Sequence, residues 1–210
     1  ESLFVVTDFG ASETNEDNSA AFQFALDKAG NNKDGGTVYV PAGLYKFRND
    51  LTVPTGVELR GCFDVPHHTV SAGSVLMAYQ NQGHEDGTPF VSLQAESGLR
   101  GLTFWYPEQP LKVPVPYPWT VRSLGKRCWL TDVTIGNAWQ AVDFATNRSD
   151  GHRISYLAGS MYRRGLFVGN CKDKGWVEDV QFNPHYAARL PERLPRVNGG
   201  KPGDVGGPII

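Results

Sequence analysis

Apolar and polar residues alternate in short bursts along most of this 210-residue chain, and in its second half one burst recurs. Gly98-Leu99-Arg100-Gly101-Leu102-Thr103-Phe104 is echoed by Trp129-Leu130-Thr131-Asp132-Val133-Thr134-Ile135, and again by Trp176-Val177-Glu178-Asp179-Val180-Gln181-Phe182. A fainter copy stands at Arg153-Ile154-Ser155-Tyr156-Leu157. Counted from the first apolar position, Leu99 to Leu130 is 31 residues, Leu130 to Ile154 is 24 and Ile154 to Val177 is 23. The longest interval holds the Pro-rich stretch from Tyr106 to Pro118. A second track keeps the same step, with Ala141-Val142-Asp143-Phe144 preceding Gly165-Leu166-Phe167-Val168 by 24 residues. Repeats of this length, built from period-two alternation with no helical period between them, predict stacked β rungs.

The first 60 residues read as the start of such a stack. Val5 to Phe9 alternates as a strand and Gly10-Ala11 ends it. Asn18-Ser19 offers a helix cap, and Phe22, Ala25, Leu26 and Ala29 then fall on one helical face, with Gly30 as the stop. Thr37 to Val40, Tyr45 to Phe47, Leu51 to Val53 and Val57 to Gly61 follow as short strands joined by tight turns. Stacked coils leave the core open at each end and need a cap, and the helix stands where the first rung needs one. The chain divides into a strand and helix (1–34), coils (35–182) and a Pro/Gly-rich irregular segment (183–210), with the site on coils that continue in a longer protein as one expectation.

Composition narrows the class. A formal net charge of −2 argues against nucleic acid or an anionic membrane surface as partner. No apolar run approaches the ~20 residues that cross a bilayer, which argues against membrane insertion. Cys62, Cys128 and Cys171 form no CxxC pair and no zinc spacing; they read as buried thiols, with one disulfide as the alternative. Asn147-Arg148-Ser149 matches a glycosylation sequon.

Val6-Thr7-Asp8-Phe9-Gly10-Ala11, then Asn18-Ser19-Ala20-Ala21-Phe22, then Gly35-Gly36-Thr37-Val38-Tyr39-Val40-Pro41-Ala42-Gly43-Leu44-Tyr45 resembles the opening of the pectate-lyase/polygalacturonase superfamily. That resemblance implies an all-β fold, a right-handed parallel β-helix with an N-terminal capping α-helix. It also implies a carbohydrate-active protein, secreted, periplasmic or on the cell surface, with a polysaccharide or oligosaccharide as partner. The superfamily holds glycoside hydrolases, polysaccharide lyases, epimerases and tailspikes, so the fold by itself does not select the activity. Glycoside hydrolysis is the leading expectation. A lyase or epimerase on uronate polymers and a non-catalytic glycan-binding helix are the rivals.

Glycoside hydrolysis needs two carboxyl groups about 5–5.5 Å apart for retention or about 6.5–9.5 Å for inversion. Rungs of a parallel sheet lie ~4.8 Å apart, so acids one or two coils apart meet either geometry. Asp143 shares an outward direction with Phe167 on the next coil, placing an acid beside a ring that can stack on sugar. Asp150 and His152 lie in the loop Asn147 to Arg153, where Arg148 and Arg153 can hold a substrate carboxylate. Asp143 and Asp150 are the first-choice carboxylates, with His152 or Arg148 assisting. Asp179 repeats Asp132 two coils away; polar residues at that place more often bond the turn backbone. Trp139 and His185 complete the binding candidates, and the Pro-rich stretch is expected to carry Trp105, Tyr106, Tyr117 and Trp119 as an exposed groove wall or packed back on the coil. No metal site is read from the sequence and no cofactor is expected, Ca²⁺ entering only with the lyase alternative.

Overall fold

The computed structural model describes residues 2–62 and 73–184. The chain opens with β1 (Leu3–Val5) and a short 3₁₀ turn, then α1 (Ser19–Gly30). The first coils are β2 (Gly36–Val40), β3 (Gly43–Phe47), β4 (Leu51–Val53), β5 (Val57–Gly61), β6 (Ser74–Ala78) and β7 (Val91–Leu93). Next come β8 (Gly98–Arg100), β9 (Leu102–Trp105) and β10 (Trp119–Ser123). Two long strands, β11 (Trp129–Phe144) and β12 (Arg153–Val168), each run round a coil, and β13 (Trp176–Phe182) follows.

Pairing among these strands is parallel throughout and sorts them into three walls. The first wall stacks β1, β2, β5, β8 and the leading parts of β11, β12 and β13. The second stacks β3, β6, β9 and the middle of β11 and β12 with the end of β13. The third stacks β4, β7, β10 and the ends of β11 and β12. Each turn of the chain therefore visits the walls in order, which is a coil of parallel strands around one core.

The repeated phrase is the first wall and its corner. Leu99, Leu130, Ile154 and Val177 are cross-rung partners in that order. Val38 and Leu59 extend the same column downward. All are fully buried except Val177, which is 43% exposed in the last described rung. The second track is equally in register, Val142 on Leu166 and Asp143 on Phe167. An aromatic chain runs through the interior, with Phe22–Phe47, Phe47–Phe90 and Phe90–Phe104 centroids 4.8, 5.3 and 5.7 Å apart in edge-to-face pairs.

Two columns of left-handed residues make the corners of the first wall. Gly35, Gly56, Glu96, Arg127 and Gly151 precede it, and Gly101, Asp132, Tyr156 and Asp179 follow it, all with φ between 53° and 76°. This corner conformation suits Gly and Asp and explains why an Asp recurs in the phrase. Asp132 and Asp179 share this corner conformation with Gly101 and Tyr156.

The amino-terminal expectations need two corrections. The strand read over Val5 to Phe9 stops at Val5, because Val6–Phe9 closes into a 3₁₀ turn with Gly10 N–H on Thr7 O and Ala11 N–H on Val6 O. Helix α1 starts where expected, but its N-terminal Ser19 N–H is taken by the Asp17 carboxylate at 2.9 Å, while Asn18 Oδ1 accepts from Ser12 N–H. Phe22, Ala25, Leu26 and Ala29 are fully buried in the main core, so the periodic face was read correctly.

Candidate functional site

The third wall places Asp143 and Phe167 side by side on its outside, as alternation requires, since Val142 and Phe144 fill the core. Asp143 is nevertheless completely covered. Its Oδ1 accepts the N–H groups of Ala145 and Thr146 at 3.0 and 2.9 Å, and its Oδ2 accepts Arg122 Nε at 2.6 Å. Burial works against its ionisation, but the bonds from Thr146, Ala145 and Arg122 outweigh it and hold the carboxyl below its ordinary range. Phe167 remains 48% exposed, its ring stacked on Trp119 with centroids 6.2 Å apart.

The loop beyond that strand is equally committed to itself. Asp150 accepts Lys172 N–H at 2.7 Å and Arg148 Nε at 2.5 Å, with Lys126 Nζ at 3.6 Å. The Lys172 N–H leads in lowering its pKa, burial opposes, and Arg148 and Lys126 add to the lowering. His152 is buried edge-on to Phe144, its Nδ1 2.7 Å from Ser149 O. Neither Asp143 nor Asp150 carries the raised pKa that a general acid near neutral pH requires. Trp139 is half-buried under the Arg163 guanidinium, which is 6.0 Å from its ring. His185 lies outside the described residues.

The Pro-rich stretch does not present its rings. Trp105, Tyr106, Tyr117 and Trp119 are all buried. Asn137 Nδ2 donates to Tyr106 O at 3.0 Å and to Gln109 O at 3.3 Å, which ties the excursion to the coil, and the Gln109 side chain bonds Val115 N–H and Val115 O across it. The expected groove wall is therefore packing; of the two readings, the rings fold back. The three cysteines are free thiols, and burial pushes Cys128 up to about 11. Among the described residues no group of three or more His, Cys, Asp or Glu is placed to share a metal ion.

An open groove of about 570 Å³ lies on the first wall instead, lined by Glu58, Arg100, Trp129, Arg153, Trp176 and Glu178, among others. Register explains the grouping. Glu58, Gly98, Trp129, Arg153 and Trp176 form one outward column over successive rungs, and Arg60, Arg100, Thr131, Ser155 and Glu178 form the next. Glu58 Oε1 accepts Arg100 Nε at 3.0 Å and Trp129 Nε1 at 3.2 Å. A Cβ on Gly98 would stand 2.3 Å from the Trp129 ring, so the indole occupies the space directly above that glycine. The Arg153 guanidinium lies 5.8 Å from the Trp176 ring centre, and Ser155 Oγ donates to Glu178 at 3.2 Å. Of the residues expected to bind substrate, Arg153 is in this groove; Arg148, Phe167 and Trp139 are not among its lining residues. Asp179 sits at its edge, next to Glu178, and is exposed.

Sequence reasoning missed Glu58, Arg100, Trp129 and Trp176. The signal was the opening letter of each repeated phrase: if Leu99, Leu130, Ile154 and Val177 point in, their predecessors Gly98, Trp129, Arg153 and Trp176 point out together.

Residues 3–97 match the family described as rhamnogalacturonase A/epimerase, pectate lyase-like. No curated protein sequence matches the chain. Among solved structures, the tailspike protein of Acinetobacter phage vB_ApiP_P1 is similar over 77% of this chain and 27% of its own, at 14% identity and a TM-score of 0.57. The A-module of the mannuronan C-5 epimerase AlgE6 of Azotobacter vinelandii is similar over 86% of this chain and 55% of its own, at 17% identity and a TM-score of 0.58. An iota-carrageenase bound to iota-carrageenan fragments is similar over 87% of this chain and 41% of its own, at 16% identity and a TM-score of 0.53. The chain thus spans 27% and 55% of the length of the first two. The resemblance read from the opening residues stands: the N-terminal part is pectate-lyase-like in sequence, and the described chain shares the parallel β-helix fold.

Proposed function

We propose that this chain is the polysaccharide-binding body of a carbohydrate-active β-helix protein, and that the polymer lies on the outer face of the first wall. One observation carries the reading: a groove in which two indoles, three arginines and two carboxylates converge from successive rungs. Indole faces stack on sugar rings, and guanidinium and carboxylate groups bond hydroxyls and acid substituents. Arg153 has no carboxylate partner among the described residues, which leaves it for an acidic group on the glycan. Named activities of the similar structures, epimerisation of mannuronan and action on iota-carrageenan, are consistent with a glycan partner. A cell-surface or secreted setting, the right-handed sense of winding and the capping role of α1 belong to the same proposal.

Hydrolysis is the second reading, and one feature favours it. Asp132 and Asp179 occupy the same corner column beside the groove two rungs apart, which sets their backbones about 9–10 Å from one another. Inverting hydrolysis sets its two carboxyl groups about 6.5–9.5 Å apart, a separation that side chains on backbones so spaced can reach. Neither Asp143 nor Asp150 is assigned the acid in this reading, for the reasons above. A panel of acidic and neutral polysaccharides tests both readings. Retention of the protein in affinity gels supports binding, and failure with every polymer overturns it. Release of reducing ends, abolished in Asp179→Asn, supports hydrolysis; bound but uncut polymer overturns it.

A further inference from the structure

The groove column has an order that sets how a glycan would lie in it. Glu58 anchors the Trp129 indole above Gly98, Arg153 follows one rung on, and Trp176 one rung beyond that. The backbones of Trp129 and Trp176 are therefore about 9–10 Å apart along the stack axis. That is close to the length of two sugar units in an extended pyranose chain. Trp129 is half-buried and Trp176 is 50% exposed, so each offers ring surface to the groove. Gly98 matters because a side chain there would displace the indole from its seat.

Resting on the glycan reading above, we propose that Trp129 and Trp176 are two stacking platforms for alternate sugars of one polymer running parallel to the coil axis. Arg153 meets the unit between them, and Gly98 and Glu58 are positioning residues that set the first platform. Cross-strand register supplies the spacing, so the site reads a two-sugar period. A run across the rungs, from wall to wall, would touch only one indole.

The test uses oligosaccharides of about two to six units from whichever of polygalacturonate, alginate and iota-carrageenan the protein retains, titrated by calorimetry. Wild-type affinity is expected to step up once the oligomer spans both platforms, at about three units. Trp176→Ala and Trp129→Ala should each remove that step, weaken the longest oligomer roughly ten- to thirty-fold and leave the shortest less affected. Gly98→Ala deletes no contact group and should reproduce the Trp129→Ala length profile, with thermal unfolding checking that the coil persists. A length step that survives in all three variants overturns the inference while the glycan reading stands. No retention of any polymer by the wild-type protein overturns both.

Discussion

The first and third walls carry similar chemistry on their outer faces, an acid, an arginine and an aromatic ring on neighbouring rungs, yet they put it to opposite use. On the third wall Asp143 and Arg122 close on each other at 2.6 Å, and the acid has no exposed surface. On the first wall Glu58 is shared between Arg100 and Trp129 at the floor of an open groove, while Arg153 and Trp176 stay accessible. The difference comes from the backbone beside each acid. Asp143 is followed by a turn whose Ala145 and Thr146 N–H groups converge on it, so the carboxylate replaces missing backbone partners. Glu58 sits mid-strand, where the ladder already satisfies the backbone and the side chain is left for neighbours in the column.

The largest expected effect follows from breaking the third-wall pair. Asp143→Ala leaves Arg122 and two N–H groups without their partner and should cost about 3–5 kcal/mol, read by urea denaturation. Glycan affinity of the surviving folded fraction should be unchanged. An affinity loss matched to that of the tryptophan variants would erase the distinction between the walls.

Acid titration gives the next effect. Asp143 and Asp150 have folded pKa values below their unfolded ones, so their contribution is present above the ordinary aspartate pKa of about 3.9 and is lost as pH falls through the lower folded values. Unfolding free energy should hold steady from neutral pH down to about 4 and fall below that. Asp143→Asn should flatten the acid limb, measured by thermal melts across pH.

A smaller change is expected on the first wall. Arg153→Gln should weaken an acidic polymer several-fold, with the loss shrinking as salt is raised and thermal stability little altered. Smallest of all is Cys128, whose buried thiol donates to Gln94 O at 3.1 Å and is pushed up to about 11. It should resist a thiol reagent in the native protein and react on unfolding.

How much of this was legible in the sequence follows the same division. Interior columns were readable because Leu99, Leu130, Ile154 and Val177 repeat one chemical demand at every rung. The corner was readable in part, since Asp132 and Asp179 recur where a left-handed residue is needed; Tyr156 at the same corner has no such signature. Partners across rungs were hidden. Arg122 lies 21 residues before Asp143, and Glu58 lies 71 before Trp129, and neither separation has meaning until the register is known. For that reason Asp143 read as a free acid beside Phe167, and the groove column went unnoticed within phrases already aligned. The Pro-rich rings were ambiguous because burial there depends on Asn137 and Gln109 tying the excursion down.

Five tryptophans, Trp105, Trp119, Trp129, Trp139 and Trp176, are spread over the walls and report where a glycan lies. Indole N–H resonances of the ¹⁵N-labelled protein, assigned by single substitution, should be followed while the retained polysaccharide fragment is added. Trp129 and Trp176 are expected to shift together along one saturating curve while buried Trp105 and Trp119 stay in place. Shifts confined to Trp119 and Trp139, with Trp129 and Trp176 unmoved, would put the glycan on another wall and contradict that expectation.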